Sequence, residues 1–168
     1  MNSSNDAVRA VLALGSNLGE SRDTLSAAVA DLADHPGVSL AAVSPVARTH
    51  PVGGPPDQPD YLNLVIAVDT TLAPHELLAH CQQVEQRHHR ERIVRWGPRT
   101  LDVDIITYGD LRLQGPDLTI PHPRASSRAF VLQPWAWMDP EAMLEGEPVA
   151  ELAARAEDLP GLEIYEGD

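Results

Sequence analysis

Apolar residues recur at every second position along Val8, Ala10, Leu12 and Leu14, the period of a strand. The pattern then breaks at Gly15-Ser16-Asn17-Leu18-Gly19, whose residue types read as a turn. From Ser21 to Asp34 the period lengthens. Leu25, Ala28, Val29 and Leu32 fall on one helical stripe, and His35-Pro36-Gly37 stops it. Val38 to Ala47 and Tyr61 to Asp69 read as two further strands. Between them lies a Pro- and Gly-rich loop, His50 to Asp60, of a length that usually serves a function. Pro74 opens a second helix expected to end near His89, with Leu77, Leu78, Cys81 and Val84 facing inward. A polar, basic stretch to Pro98 precedes a fourth strand, Leu101 to Tyr108. The turn at Gly109-Asp110 allows a short hairpin return near Leu111 to Leu113. Ser126 or Ser127 is placed to cap a third helix running to about Gln133, and Val149 to Ala156 reads as a short last helix.

Strand, helix, strand, strand, helix, strand is the order of a ferredoxin-like split βαβ sandwich in the α+β class. The expectation is one domain over residues 1–168, with an antiparallel sheet and helices packed mainly on one face. That architecture hosts many unrelated functions, so chemistry has to be read from particular residues.

Charge narrows the choice. The formal net charge is −13, which argues against nucleic acid or an anionic membrane as a partner and leaves small molecules. No apolar run approaches the ~18 residues of a membrane span, and Met1 to Asp6 lacks the order of a secretory signal. A cytoplasmic monomer is the expectation. Cys81 is the only cysteine, so the chain has no internal disulfide and no cysteine-rich zinc site. All twelve cations are arginines. The lack of lysine excludes Schiff-base chemistry and a Walker-type phosphate loop. Arginine offers phosphate a bidentate fork instead, and Arg87, Arg90, Arg92, Arg95 and Arg99 fall close together.

The sharpest local signal follows that cluster, in Arg95-Trp96-Gly97-Pro98-Arg99-Thr100-Leu101-Asp102-Val103-Asp104-Ile105-Ile106. On a strand, Asp102 and Asp104 share one face while Leu101, Val103 and Ile105 share the other, with roughly 7 Å between successive Cα atoms on a face. Two carboxylates so placed suit magnesium, which takes a few acids and leaves positions for water and phosphate oxygens. On the residues alone, the pair also fits the solvent face of a half-exposed strand, or a general acid and base.

The segment Arg95 to Ile106 resembles the signature of the 6-hydroxymethyl-7,8-dihydropterin pyrophosphokinase family. So do Ala13 to Gly19, Gln58 to Asn63, Ile120 to Pro123 and Arg128 to Phe130, in the same order along the chain. The resemblance implies transfer of the pyrophosphoryl group of ATP to the hydroxymethyl oxygen of a reduced pterin, releasing AMP, in folate biosynthesis. It further implies two Mg2+ ions on Asp102 and Asp104, and a catalytic role for Arg90 and Arg99 beside them. Gln82, Glu85, Arg90, Arg92, Arg99, Ile105, Thr119, His122 and Arg128 would contact ATP. Thr49, Val52, Tyr61, Asn63, Trp96 and Phe130 would form the pterin site. Pro123, Asp117 and His50 depart from the family's usual residues, which bears on adenine packing, a phosphate contact and the loop after Thr49. Two rival classes are a ferredoxin-like RNA-binding module and a metal-dependent phosphohydrolase using the same acids.

Overall fold

The structure is a computed structural model describing residues 7–17, 21–49, 61–93 and 101–165. Its centre is β1 (Val8–Asn17), followed by α1 (Ser21–Ala33), β2 (Val38–Val43), β3 (Ala47–Thr49), β4 (Tyr61–Thr70), α2 (Pro74–Ile93) and β5 (Leu101–Tyr108). β1 is antiparallel to β4 on one side and to β5 on the other. β2 and β3 each pair with a different half of β4. Two small hairpins follow, β6 (Leu113–Gln114) with β7 (Thr119–Ile120), and β8 (Met143–Leu144) with β9 (Glu147–Pro148). Between the hairpins runs α3 (Ala129–Met138); after them come α4 (Val149–Arg155) and β10 (Leu162–Ile164), which pairs with β3. Among the described residues no helix is long and apolar enough to cross a membrane.

The sheet is buried on both sides, because side chains alternate across it. Ala10, Leu12 and Leu14 of β1, Leu64, Ile66 and Val68 of β4, and Val103 and Ile105 of β5 pack against Leu25, Ala28 and Leu32 of α1 and Leu77, Cys81 and Val84 of α2. Val11, Ala13, Val65 and Ile106 face the other way, onto Val131, Leu132 and Trp135 of α3 and Leu152 and Ala153 of α4. Helices therefore cover both faces, which corrects the expectation that they lie mainly on one. The nearly unbroken apolar run of β4 has the composition of a strand buried on both sides.

Five details also differ from those expected. Gly15 to Asn17 continue β1 rather than forming a turn, because Gly15 and Ser16 have partners on both flanking strands. The predicted strand Val38 to Ala47 is divided at Ser44 to Val46. There the Ser44 hydroxyl takes the Val65 N–H at 2.9 Å, and Pro45 has no N–H to offer the ladder. α2 runs on to Ile93 and so absorbs Arg90 and Arg92 into its backbone. α3 begins at Ala129 and ends at Met138, with Arg128 rather than a serine at its cap position. Leu113 finds its partner in β7, not in a return along β5.

Candidate active site

The end of the sheet that carries the acids is built from small residues. Asp102 of β5 lies opposite Gly15 of β1, which lies opposite Asn63 of β4. In the next row Asp104 is opposite Ala13, and Ala13 is opposite Val65. With only Gly15 and Ala13 between them, the acids and Asn63 look onto a common hollow. Its far wall is the start of α3. The cavity measures about 320 Å³, and its lining includes Gly15, Thr49, Tyr61, Asn63, Asp102, Asp104, Arg128 and Phe130.

The polar groups converge from several elements. Asn63 is buried, and its amide nitrogen donates to Thr49 Oγ1 at 3.4 Å, a long contact. Gly15 has a specific reason to lack a side chain: a Cβ there would sit 2.7 Å from Asn63 Oδ1. The Arg128 guanidinium carbon lies 5.4 Å from the centre of the Phe130 ring, within cation–π range. A positive charge and an aromatic face thus share one wall of the cavity.

A second depression of about 250 Å³ opens on the other side of Asp104, lined by Leu78, Val103, Ile105, Leu118, Thr119 and His122 among others. Asp104 borders both hollows. His122 is hooked to β5 by its own N–H, which donates to the Ile106 carbonyl at 2.9 Å. Its Nδ1 accepts the Arg124 N–H at 3.2 Å, so the neutral ring carries its proton on Nε2. Burial pushes the His122 pKa down, against the pull of Asp104 and with the help of Arg128 and Arg124. At neutral pH it is a neutral donor.

Acid charge at the site is under strain. Burial holds the Asp102 carboxyl above the usual carboxylate range; neighbouring Asp104 adds to this and Arg128 offsets it. Glu85 of α2 is likewise raised, first by burial and also by Asp102 and Asp104. One Glu85 oxygen accepts the Val103 N–H at 2.7 Å, between the two aspartates, which counters the shift. Such crowding of hard oxygen donors favours a divalent cation. Among the described residues no three metal-binding side chains are gathered to close around an ion.

Of the residues singled out from the sequence, Thr49, Tyr61, Asn63, Asp102, Asp104, Arg128 and Phe130 meet at the first cavity, and Ile105, Thr119 and His122 meet at the second. Gln82 is exposed and lines neither, and Glu85 braces β5. Arg90 and Arg92 lie on the last turns of α2; Val52, Trp96 and Arg99 lie outside the described residues. Asp117 pairs with His75 at 3.2 Å at the rim of the second depression. Pro123 lines it, where an aromatic ring was the usual residue. The sequence reading gave Gly15 and Ala13 no role beyond the family resemblance, although a glycine and an alanine two apart on one strand are the signal of a cleared floor.

The family model described as 7,8-dihydro-6-hydroxymethylpterin-pyrophosphokinase matches residues 11–140. A 2-amino-4-hydroxy-6-hydroxymethyldihydropteridine pyrophosphokinase of Pseudomonas aeruginosa is 44% identical over 159 residues, covering 91% of this chain and 98% of the relative. One of the same name from Methylorubrum extorquens is 41% identical, covering 94% and 99%. A Plasmodium falciparum HPPK-DHPS crystal structure with pterin and p-hydroxybenzoate superposes with a TM-score of 0.71 at 12% identity, over 98% of this chain. The chain spans 48% of that longer protein, so this likeness concerns the fold of one part.

Proposed function

The chain belongs to the 7,8-dihydro-6-hydroxymethylpterin-pyrophosphokinase family, and from that premise we propose that it performs the family's reaction at the two hollows that meet at Asp104. It transfers the pyrophosphoryl group of ATP to the hydroxymethyl oxygen of 6-hydroxymethyl-7,8-dihydropterin, a step of folate biosynthesis. The observation that carries the assignment is a cavity with an amide, an aromatic ring and an arginine–acid cluster, joined through one carboxylate to a second slot of mixed polar and apolar lining. The reading treats residues 1–168 as a single catalytic unit. The sheet order β5-β1-β4, completed by β2 and β3, supports placing α1, α2 and these strands in the ferredoxin-like class.

The pterin occupies the first cavity. Asn63 can both donate to and accept from its mixed hydrogen-bonding edge, and Phe130 and Tyr61 offer it ring faces. The base of ATP takes the slot beside Ile105, Leu78 and Leu118, which brings its phosphates toward His122, Asp104 and Arg128. Asp102 and Asp104 are the groups that would hold magnesium, two ions in this reading. Bound there, magnesium neutralises phosphate charge and aligns the reacting oxygens. The pterin oxygen attacks the β-phosphorus; its bond to phosphorus forms as the bridge to the α-phosphate breaks, the hydroxyl proton passes to solvent, and AMP leaves. Arg128 faces the acids across the cavity and is placed to stabilise charge on the transferring group, while Nε2–H of His122 can donate to the nucleotide. Arg90, Arg92, Arg99, Trp96 and Val52 complete the proposal from the family resemblance.

Incubation with magnesium, ATP and the reduced pterin is expected to yield AMP in equal amount to the pterin diphosphate. Pterin-dependent ADP without AMP would exclude the reaction, and phosphate release without pterin would favour the phosphohydrolase instead. A second expected result concerns the floor of the cavity. Gly15→Ala should weaken pterin binding by roughly tenfold, the scale of one displaced hydrogen-bonding group, while leaving ATP affinity within about twofold. Its methyl group has to push the Asn63 amide out of place. Calorimetric titration of each ligand separately checks this, and equal losses for both would point to general damage to β1.

A further inference from the structure

The chain beyond α3 returns to both walls of the pterin cavity, and the return is made by specific contacts. α4 packs on α3 through Leu152 and Ala153 against Val131, Leu132 and Trp135. Past α4, Asp158 Oδ1 accepts the N–H of Ala129 at 2.9 Å. The chain then forms β10, where Leu162 lies opposite Thr49, and the Tyr165 N–H donates to the Val46 carbonyl at 2.8 Å. Thr49 and the start of α3 both line the hollow.

The contact at Ala129 matters because the helix has no cap of its own. Arg128 stands at the cap position in extended conformation and makes no capping hydrogen bond with its side chain. The nearest serine, Ser127, turns its hydroxyl to the Arg124 carbonyl at 3.2 Å. The first N–H of α3 is satisfied instead by a carboxylate 29 residues further along the chain. A helix start leaves its N–H groups without internal partners and carries partial positive charge, so a carboxylate there is favourable on both counts. Ala129 separates Arg128 from Phe130, and both of those line the cavity. Fixing the Ala129 N–H therefore fixes the directions in which the guanidinium and the ring leave the backbone.

We propose that Asp158 is a positioning residue for the reaction, acting through Ala129 to hold Arg128 and Phe130 against the pterin. Asp158 lies beyond residue 140, where the match to the family model ends. The inference rests on the pterin reading of the cavity. It gives the tail a functional task in addition to closing the core over α3.

The test is calorimetric titration of 6-hydroxymethyl-7,8-dihydropterin into the full chain with magnesium and a non-hydrolysable ATP analogue, well below each variant's melting temperature. Asp158→Ala is expected to raise the pterin dissociation constant about five- to tenfold, the scale of a lost helix cap. Asp158→Asn keeps an acceptor oxygen and is expected to stay within about threefold of the native protein. Arg155→Ala breaks an exposed ion pair with Glu147 elsewhere on the tail and is expected to change nothing. A merely structural role would lower the melting temperature of Asp158→Ala and leave the dissociation constant of the folded protein where it was. That result overturns the proposal, as does an Asp158→Asn variant that binds as weakly as Asp158→Ala. Should the alanine variant not fold, Asp158→Glu keeps the charge but shifts the acceptor by one methylene. It must then weaken pterin, and unchanged affinity in it overturns the proposal equally. A native protein that binds no pterin would instead sink the reading of the cavity itself.

Discussion

Asp102→Asn and Asp104→Asn are each expected to lower turnover by at least 10²–10³-fold, the loss seen when a preorganised group facing developing charge is removed, while leaving the metal-free protein at least as stable as the native one. The two effects have one cause. Asp102 is exposed by surface area, but its charge sits beside Asp104 and partial desolvation holds it above the usual carboxylate range. A carboxyl raised in the folded state stabilises the fold only while it is protonated. That benefit is lost as pH rises through the window between its unfolded and its folded value. At neutral pH the ionised side chain is therefore a net cost to the metal-free fold, and an asparagine of the same shape removes it. Neither acid points into the core, since Val103 and Ile105 alternate with them toward α2. Magnesium reverses the balance: it should raise the melting temperature of the native protein and leave both variants almost unmoved. Protons compete with the metal for the Asp102 oxygens, so magnesium affinity should fall as pH drops toward the raised range of that carboxyl. Thermal melts with and without magnesium, beside turnover assays, check all of this. Variants that melt far below the native protein while their folded fraction turns over normally would remove Asp102 and Asp104 from the metal site.

This part of the site was legible in the sequence because it is local. A strand with acids at alternate positions and apolar residues between them declares its two faces without reference to any other element. α1 and the inward stripe of α2 were legible for the same reason, as were the residues that resemble the family at Tyr61, Asn63, His122 and Phe130. What escaped depends on partners far along the chain. Gly15, Ser16 and Asn17 are poor strand formers taken singly, but β4 and β5 hold Gly15 and Ser16 on both sides and β4 holds Asn17, and this pairing outweighs propensity. The second covered face of the sheet was signalled only indirectly. α3 reads Ala-Phe-Val-Leu-Gln-Pro-Trp-Ala-Trp-Met, apolar nearly all round, and such a helix has to be buried from several directions. The end of α2 was set too early because its basic residues read as a loop, although arginine and glutamate are good helix formers. Glu85 and Asp158 act through single hydrogen bonds to the backbone of distant residues, and no periodicity encodes such a bond. Asp102 and Asp104 thus lie on an element whose pattern declares its faces, while the bonds of Glu85 and Asp158 that hold neighbouring backbone have no such pattern.

Arg128→Ala should lower turnover by roughly 10²-fold, and Arg128→Lys should recover only a small part of the loss. Arg128 is the arginine that the described structure places in the same cavity as both acids, and its charge offsets the upward shift of Asp102. Two jobs meet in the one side chain. Its charge offsets that of the acids in the hollow that the proposed reaction gives to the phosphates, and its guanidinium carbon lies 5.4 Å from the centre of the Phe130 ring. Lysine preserves the first in part, as a point charge on a flexible stem. It cannot present a fork of parallel N–H donors to a phosphate, nor stack its head flat on the ring. If the fork matters, Arg128→Lys should lose mostly turnover, because the bidentate contact tightens as charge shifts onto the transferring group. If the stacking matters, the same variant should lose mostly pterin affinity, because Phe130 then swings more freely. The separation of kcat from KM for pterin therefore says which job dominates. Both expected outcomes require Arg128→Ala to be worse than Arg128→Lys in at least one of the two parameters. Full activity in Arg128→Lys would mean that positive charge alone is enough at this position. Full activity in Arg128→Ala would remove Arg128 from the mechanism and leave the transferring group to the arginines of the 90–99 stretch.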